Sequence, residues 1–186
     1  AVSLVLRDAA SVGAGLVQAG DLAASQVAPH ALLRSVPGFT QESLSVACAS
    51  QGVHISVSGG VVTACGLKNK LSAVSEVLAK VLRAPVVTPA VVDEGRQAAI
   101  SSLKESVAGR CGPHWDFLFK ALYPGAPESL SLEARIAAFD HVTPAAVEKV
   151  LSLMTDPSRV ALVVCGPAPA VEVFAEAEKA FSYFAP

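Results

Sequence analysis

Apolar and polar residues alternate at the start of the chain. Val2, Leu4 and Leu6 are separated by Ser3, Val5 and Arg7, and that period of two predicts a half-buried strand. Asp8-Ala9-Ala10-Ser11 reads as a turn. Val12 to Ala19 reads as a second strand, loosened by Gly13 and Gly15 and ended by Gly20-Asp21. From Val27 to Val36 the pattern fits a helix stopped by Pro37-Gly38. Thr40, followed by Ser43, caps another that runs through Cys48 to Gln51. Gly52 to Ser58 and Gly60 to Leu67 form a strand pair around Ser58-Gly59-Gly60, a strong hairpin signal.

Beyond the hairpin the period changes to that of a helix. Leu71, Val74, Leu78 and Val81 mark one apolar face within Lys68 to Leu82. Thr88-Pro89 opens a longer helical stretch with Asp93-Glu94 in its first turns, where the helix dipole favours acids. That stretch extends towards Leu122, with Gly109, Gly112 and Pro113 bending or interrupting it. Leu132–Phe139 and a segment from Thr143-Pro144 to Leu153 read as shorter helices. Arg159 to Cys165 is an apolar run of strand length, and Pro169 to Phe181 makes a closing helix. No repeat, low-complexity linker or charge block divides residues 1–186. The expectation is one α+β domain, a mainly antiparallel sheet packed with helices.

The chain has 186 residues, of which 52% are hydrophobic and 16% charged, and its mean hydropathy is +0.51. No run of about 18 uncharged apolar residues occurs, so no membrane span is expected. The apolar excess points instead to burial against a partner. Fourteen basic residues stand against 16 acidic ones, and no basic stripe with interleaved aromatics appears, which argues against nucleic acid. Cys48, Cys65, Cys111 and Cys165 show no C-x-x-C spacing. They read as reduced, buried thiols rather than as a metal cluster. A start at Ala1, without methionine or a leader, is read as a processed or trimmed end.

Several short segments together resemble one homology domain of the pitrilysin/insulinase metallopeptidases. They are Val17-Gln18-Ala19-Gly20, Gly52-Val53-His54-Ile55-Ser56-Val57-Ser58, Leu82-Arg83-Ala84-Pro85, Leu122-Tyr123-Pro124, Val142-Thr143-Pro144-Ala145-Ala146-Val147 and Val160 to Gly166. Each is weak alone, but they follow the family's order over essentially the whole chain. The resemblance implies a pitrilysin-like, mitochondrial-processing-peptidase-like domain, one half of the usual two-domain unit. It also places the family's inverted zinc motif, H-x-x-E-H, around Pro29-His30-Ala31-Leu32-Leu33-Arg34-Ser35. If His30 is the first ligand, Leu33 replaces the glutamate and Arg34 the second histidine. In the alternative register Ala31, Arg34 and Ser35 occupy the three positions. Neither leaves a zinc site, because three neutral or anionic ligands are needed and an arginine cation repels the ion.

The resemblance therefore implies no catalytic residues, no metal and no cofactor. Glu94 and Glu105 lie where active relatives place a third zinc ligand, and with the motif broken they read as solvated helix carboxylates. His30 reads as a packed or capping histidine, and His54, His114 and His141 fall on three different elements. Gly13-Ala14-Gly15 with Gly20 lacks the dinucleotide-binding spacing. Ser101-Ser102-Leu103-Lys104 is an S-x-x-K string without its partner motifs.

Leu32-Leu33-Arg34 most resembles the non-catalytic core subunits of the mitochondrial cytochrome bc1 complex. The implied role is a scaffold on the matrix side of the inner mitochondrial membrane, held by a homologous peptidase-like domain or subunit and by other subunits of the complex. The alternative is the inactive, substrate-holding half of a two-chain zinc peptidase, mitochondrial or bacterial in type, in which an extended peptide adds to a sheet edge.

Overall fold

A computed structural model describes the backbone at residues 2–6, 19–58, 61–83, 85–109, 112–122, 124, 129–156 and 158–184. In chain order the elements are β1 (Val2–Leu6), α1 (Ala19–Leu32), α2 (Gln41–Ser50), β2 (Val53–Ser58), β3 (Val61–Gly66), α3 (Leu71–Leu82), α4 (Pro89–Ala108), α5 (Gly112–Leu122), α6 (Leu132–Phe139), α7 (Pro144–Met154), β4 (Val160–Val164) and α8 (Ala170–Ala180). Single 3₁₀ turns at Lys68–Lys70 and Ser182–Phe184 precede α3 and follow α8. The fold is α+β, rich in helix, with one small antiparallel sheet. The chain divides into two compact units. One holds residues 1–9, 32–86 and 151–186, the other residues 10–31 and 87–150.

The first unit contains the sheet, in the order β2-β3-β1-β4 with every neighbour antiparallel. Its register pairs Val53 with Gly66 and closes at Ser58 opposite Val61, so two residues, the glycine pair of the sequence, connect the strands. Along β2 the pattern of period two holds: Val53 is buried, whereas His54 and Ser56 are exposed. On β3, Val62 and Ala64 are buried on the same face.

Helices α2 and α3 cover that face. Val74, Leu78 and Val81, three of the four residues expected on the apolar stripe of α3, are buried, and Leu71 is half-buried. A side chain at Gly66 would press its Cβ to 2.7 Å from Cγ2 of Val74, so the end of β3 has room only for glycine under α3. Thr40 caps α2 in a reciprocal box: its Oγ1 accepts from the Ser43 backbone N–H at 3.1 Å, and Ser43 Oγ accepts from the Thr40 N–H at 2.8 Å. Gly52, with φ of +70°, follows the end of α2 in the left-handed conformation that favours glycine there.

In the second unit, α1 and α4 each bury a stripe. On α1 it comprises Ala23, Ala24, Val27, Ala28 and Ala31, and on α4 Val92, Gly95, Ala99 and Leu103. The two cross closely at Gly95. A Cβ placed there would lie 3.2 Å from Ala31 Cβ and 3.3 Å from both Ala31 N and Val27 Cγ1. Arg96 then ties α4 to the α6–α7 corner. Its guanidinium donates from Nε to the Phe139 carbonyl at 2.9 Å and from Nη2 to the Val142 carbonyl at 3.1 Å, while Nη1 meets Asp93 Oδ1 at 2.8 Å. Phe139, at the end of α6, is 1% exposed.

The structure corrects two sequence expectations. Residues 12–18 of the supposed second strand lie outside the described residues, but Ala19, Gly20 and Asp21 form the first turn of α1 rather than the end of a strand. The same helix ends at Leu32 instead of running from Val27 to Val36. Its buried face is built largely of alanine, which hydrophobic periodicity weighs lightly although alanine is the best helix former. Pro29 sits inside the helix, where it removes a ladder bond at a typical cost of about 3 kcal/mol. Burial of the alanine stripe evidently outweighs that cost. Ser35, and not Pro37-Gly38, terminates the helix, with its Oγ donating to the Leu32 carbonyl at 2.8 Å. Pro37-Gly38 makes the next turn, closed by the Phe39 N–H on the Val36 carbonyl at 3.1 Å, with Gly38 at φ +78°.

The long stretch from Thr88 breaks where Gly109 and Gly112 stand. Thr88 caps α4 by accepting from the Val91 N–H at 3.3 Å, and Pro89 fills the first helical position. At Gly112 a Cβ would fall inside contact distance of the Val107 and Ser106 carbonyl oxygens, so the start of α5 has room only for glycine at that position.

Candidate functional site

His30 occupies the last turn of α1, where a basic side chain complements the negative end of the helix dipole, and it is half-buried. Leu33 and Arg34 follow in the turn beyond the helix, also half-buried, and Ser35 is buried. The H-x-x-E-H geometry depends on one helical turn carrying all three side chains to one point. In the primary register the helix stops between the first position and the other two. Ser35 is further fixed by its carbonyl, which accepts the Val86 N–H at 2.9 Å.

Glu94 lies on α4 beside Gly95, and the close crossing of Gly95 on Ala31 sets that segment against the last turn of α1. Glu94 is thus on a segment that packs near the end of α1. Glu94 is nevertheless exposed, and His30, Arg34 and Glu94 are each engaged by another group. Glu105 lies 11 positions further along the same helix, about 16 Å away at 1.5 Å per residue, so it cannot share a site with Glu94. Among the described residues, no three histidine, cysteine, aspartate or glutamate side chains come together in a way that could hold a metal ion.

The remaining sequence candidates do not converge either. His54 is exposed on β2, opposite Cys65 on β3. His114 is exposed on α5, and His141 is exposed after α6. Ser101 and Lys104 lie exposed on α4. Gly13, Ala14 and Gly15 fall outside the described residues. Cys48 is buried as expected, and burial pushes its thiol pKa up despite the nearby Lys80 ammonium. Cys65 is half-buried, but Cys165 is exposed, against the expectation of buried thiols. Its position explains this, for it follows β4 at the edge of the sheet. Cys111 lies outside the described residues.

Sequence reasoning missed Gly95 and Arg96. An isolated glycine inside a helical pattern is a recognisable sign of close packing. Nothing in the sequence, however, paired Arg96 with carbonyls more than 40 positions away.

No family model matches the chain, and no curated protein matches it. A solved structure does: a protease from Helicobacter pylori superposes with a TM-score of 0.73 at 15% sequence identity, over 97% of this chain and 44% of that one. The chain therefore has a peptidase-like fold. It spans less than half the length of that protease. Among the described residues, no helix is long and apolar enough to cross a membrane.

Proposed function

We propose that this chain is a non-catalytic, pitrilysin-like scaffold domain, a core-protein-2-like part of respiratory complex III on the matrix side of the inner mitochondrial membrane. The observation that carries the non-catalytic reading is the end of α1. In the turn that follows the helix, Leu33 and Arg34 supply an apolar side chain and a cation where a zinc site needs a carboxylate and an imidazole, which supports the reading. The choice of assembly rests on the resemblance of Leu32-Leu33-Arg34 to the core subunits.

Exposed apolar side chains support a role in an assembly. Phe117 on α5 is 74% exposed, and Val171 and Phe174 on α8 are 80% and 69% exposed. Large apolar groups gathered on helix faces mark protein interfaces more often than free surface. The homologous peptidase-like domain or subunit and the neighbouring subunits of the complex are the partners proposed for them.

The competing reading is the inactive, substrate-holding half of a two-chain zinc peptidase, for which the open edge of β4 offers a strand for an extended peptide. Native mass spectrometry of the assembly isolated with this chain separates the two. Cytochrome subunits in the complex support the respiratory scaffold. A partner carrying an intact H-x-x-E-H, without cytochromes, overturns it in favour of the peptidase half.

A further inference from the structure

We infer that the groove between α3 and α8 is a binding site for a small zwitterion that carries a phosphate monoester and an ammonium group. Both helices belong to the first unit. Tyr183 donates its hydroxyl to the Ala79 carbonyl at 2.7 Å, joining the C-terminal end of α8 to that of α3. Glu172 and Glu176 share a cleft with Leu71 and Ser72 near the opposite ends. The two helices thus run parallel. The groove between them, about 630 Å³, is lined by Glu76, Lys80, Arg83, Glu176, Lys179 and Tyr183 among others. That volume falls in the range of small-molecule sites.

The charges in this groove are sorted along its length. Lys80, Arg83 and Lys179 stand at the C-terminal end, and Glu76 and Glu176 about one helical turn earlier. Two of the cations lie over rings: Lys80 Nζ is 4.9 Å from the centre of the Phe39 ring, and Arg83 is 5.3 Å from that of Tyr183. Glu76 accepts instead from the Ser72 hydroxyl at 3.2 Å.

Helix-end dipoles explain part of the basic cluster, since a cation near a helix C-terminus is ordinarily favourable. Each end carries roughly half a negative charge, so two ends offset about one of the three cations. With Glu76 and Glu176 counted the groove as a whole is close to neutral, so what it offers is a separation of charge, positive at the C-terminal end where a phosphate monoester fits and negative one turn earlier. The glutamate pair, about 5 Å away along the axis, matches an ammonium group on the same small molecule. A purely anionic ligand would leave that pair unmatched.

Calorimetric titration with O-phosphoethanolamine, ethyl phosphate and ethanolamine as probes tests this. The expected result is saturable binding of phosphoethanolamine, with a dissociation constant of about 1 mM or tighter at low ionic strength. Ethyl phosphate should bind more weakly, and ethanolamine alone should show no saturable binding. Lys179→Gln should weaken both phosphate probes about tenfold, whereas Glu176→Gln should weaken only phosphoethanolamine. Neither side chain makes a hydrogen bond or ion pair among the described residues, so both variants should fold. Absence of saturable binding, equal affinity for ethyl phosphate and phosphoethanolamine, or indifference of binding to Lys179→Gln would each overturn the inference.

Discussion

The crossing of α1 and α4 at Gly95 is the contact most sensitive to a single added atom. A Cβ at that position meets Ala31 Cβ at 3.2 Å and Ala31 N and Val27 Cγ1 at 3.3 Å, against the roughly 3.5–4.0 Å at which carbon atoms are comfortable. Two opposing terms decide Gly95→Ala. Helix propensity favours alanine by about 1 kcal/mol. Overpacking costs about 1–3 kcal/mol, and the upper part of that range applies because one of the three neighbours is backbone, which yields only if all of α1 shifts. The net expectation is a loss of about 1 kcal/mol. For Gly95→Val the propensity gain shrinks to a few tenths of a kcal/mol, and two further methyl groups must be placed, so the loss rises to about 3 kcal/mol.

Amide hydrogen exchange of peptides from residues 19–32 and 89–108 measures this locally. It does not require the two units to unfold together. Gly95→Val should speed exchange in both helices by about a hundredfold, since 1.4 kcal/mol is a factor of ten. Ala31→Gly introduced beside Gly95→Ala removes the tightest contact and should recover about 1 kcal/mol as a coupling energy, beyond the helix cost of the new glycine. Parental exchange in Gly95→Val, or strictly additive effects of the two small substitutions, would refute the close crossing.

The other predictions concern single groups. Arg96→Ala should destabilise the second unit by about 2–4 kcal/mol, because two carbonyls lose charged donors on a side chain only 20% exposed; Arg96→Lys should recover at most half of this in the same exchange assay. Burial pushes the Tyr183 hydroxyl up to about 12 from its usual value near 10, with Arg83 opposing the shift weakly. A raised folded value means that the stabilisation is complete below about pH 10 and is lost as pH rises towards 12. For a half-buried phenol this is worth about 1 kcal/mol, and Tyr183→Phe should flatten the loss in an alkaline denaturation series. Cys48 should resist alkylation until the protein is unfolded while Cys165 reacts in the native state, as mass mapping of the labelled cysteines would show; early labelling of Cys48 would contradict its burial.

Much of the fold was legible because its signals are local and strong. The hairpin about Gly59-Gly60, the stripe of Val74, Leu78 and Val81, and the Thr88-Pro89 start each combine periodicity with a specific cap or turn residue. Between Ala19 and Val36 the reading was wrong in part, and for a physical reason. In α1 the buried face is made of alanines, whose burial depends on another helix coming close, and Gly95 permits that approach from more than 60 positions away. Neither half of the contact means much without the other. Gly20-Asp21 then read as the end of a strand, although Gly20 stands in the first turn of α1, and Pro37-Gly38 read as the helix stop, although the helix ends at Leu32.

The candidate site shows the complementary lesson. The resemblance put the degenerate motif at His30, Leu33 and Arg34 and a former ligand region at Glu94 and Glu105. The sequence did not reveal where the helix beneath the motif ends. That end is set by Ser35, which binds the carbonyl of Leu32 through its hydroxyl and the N–H of Val86 through its own carbonyl. Restoring zinc-ligand identities by Leu33→Glu and Arg34→His would leave those two bonds untouched. The new side chains would still leave the backbone in the two-residue turn that directly follows α1. Backbone hydrogen bonds as well as side-chain identities therefore set the conformation of this segment, and a test of zinc binding by the double variant has to be read together with the two bonds of Ser35.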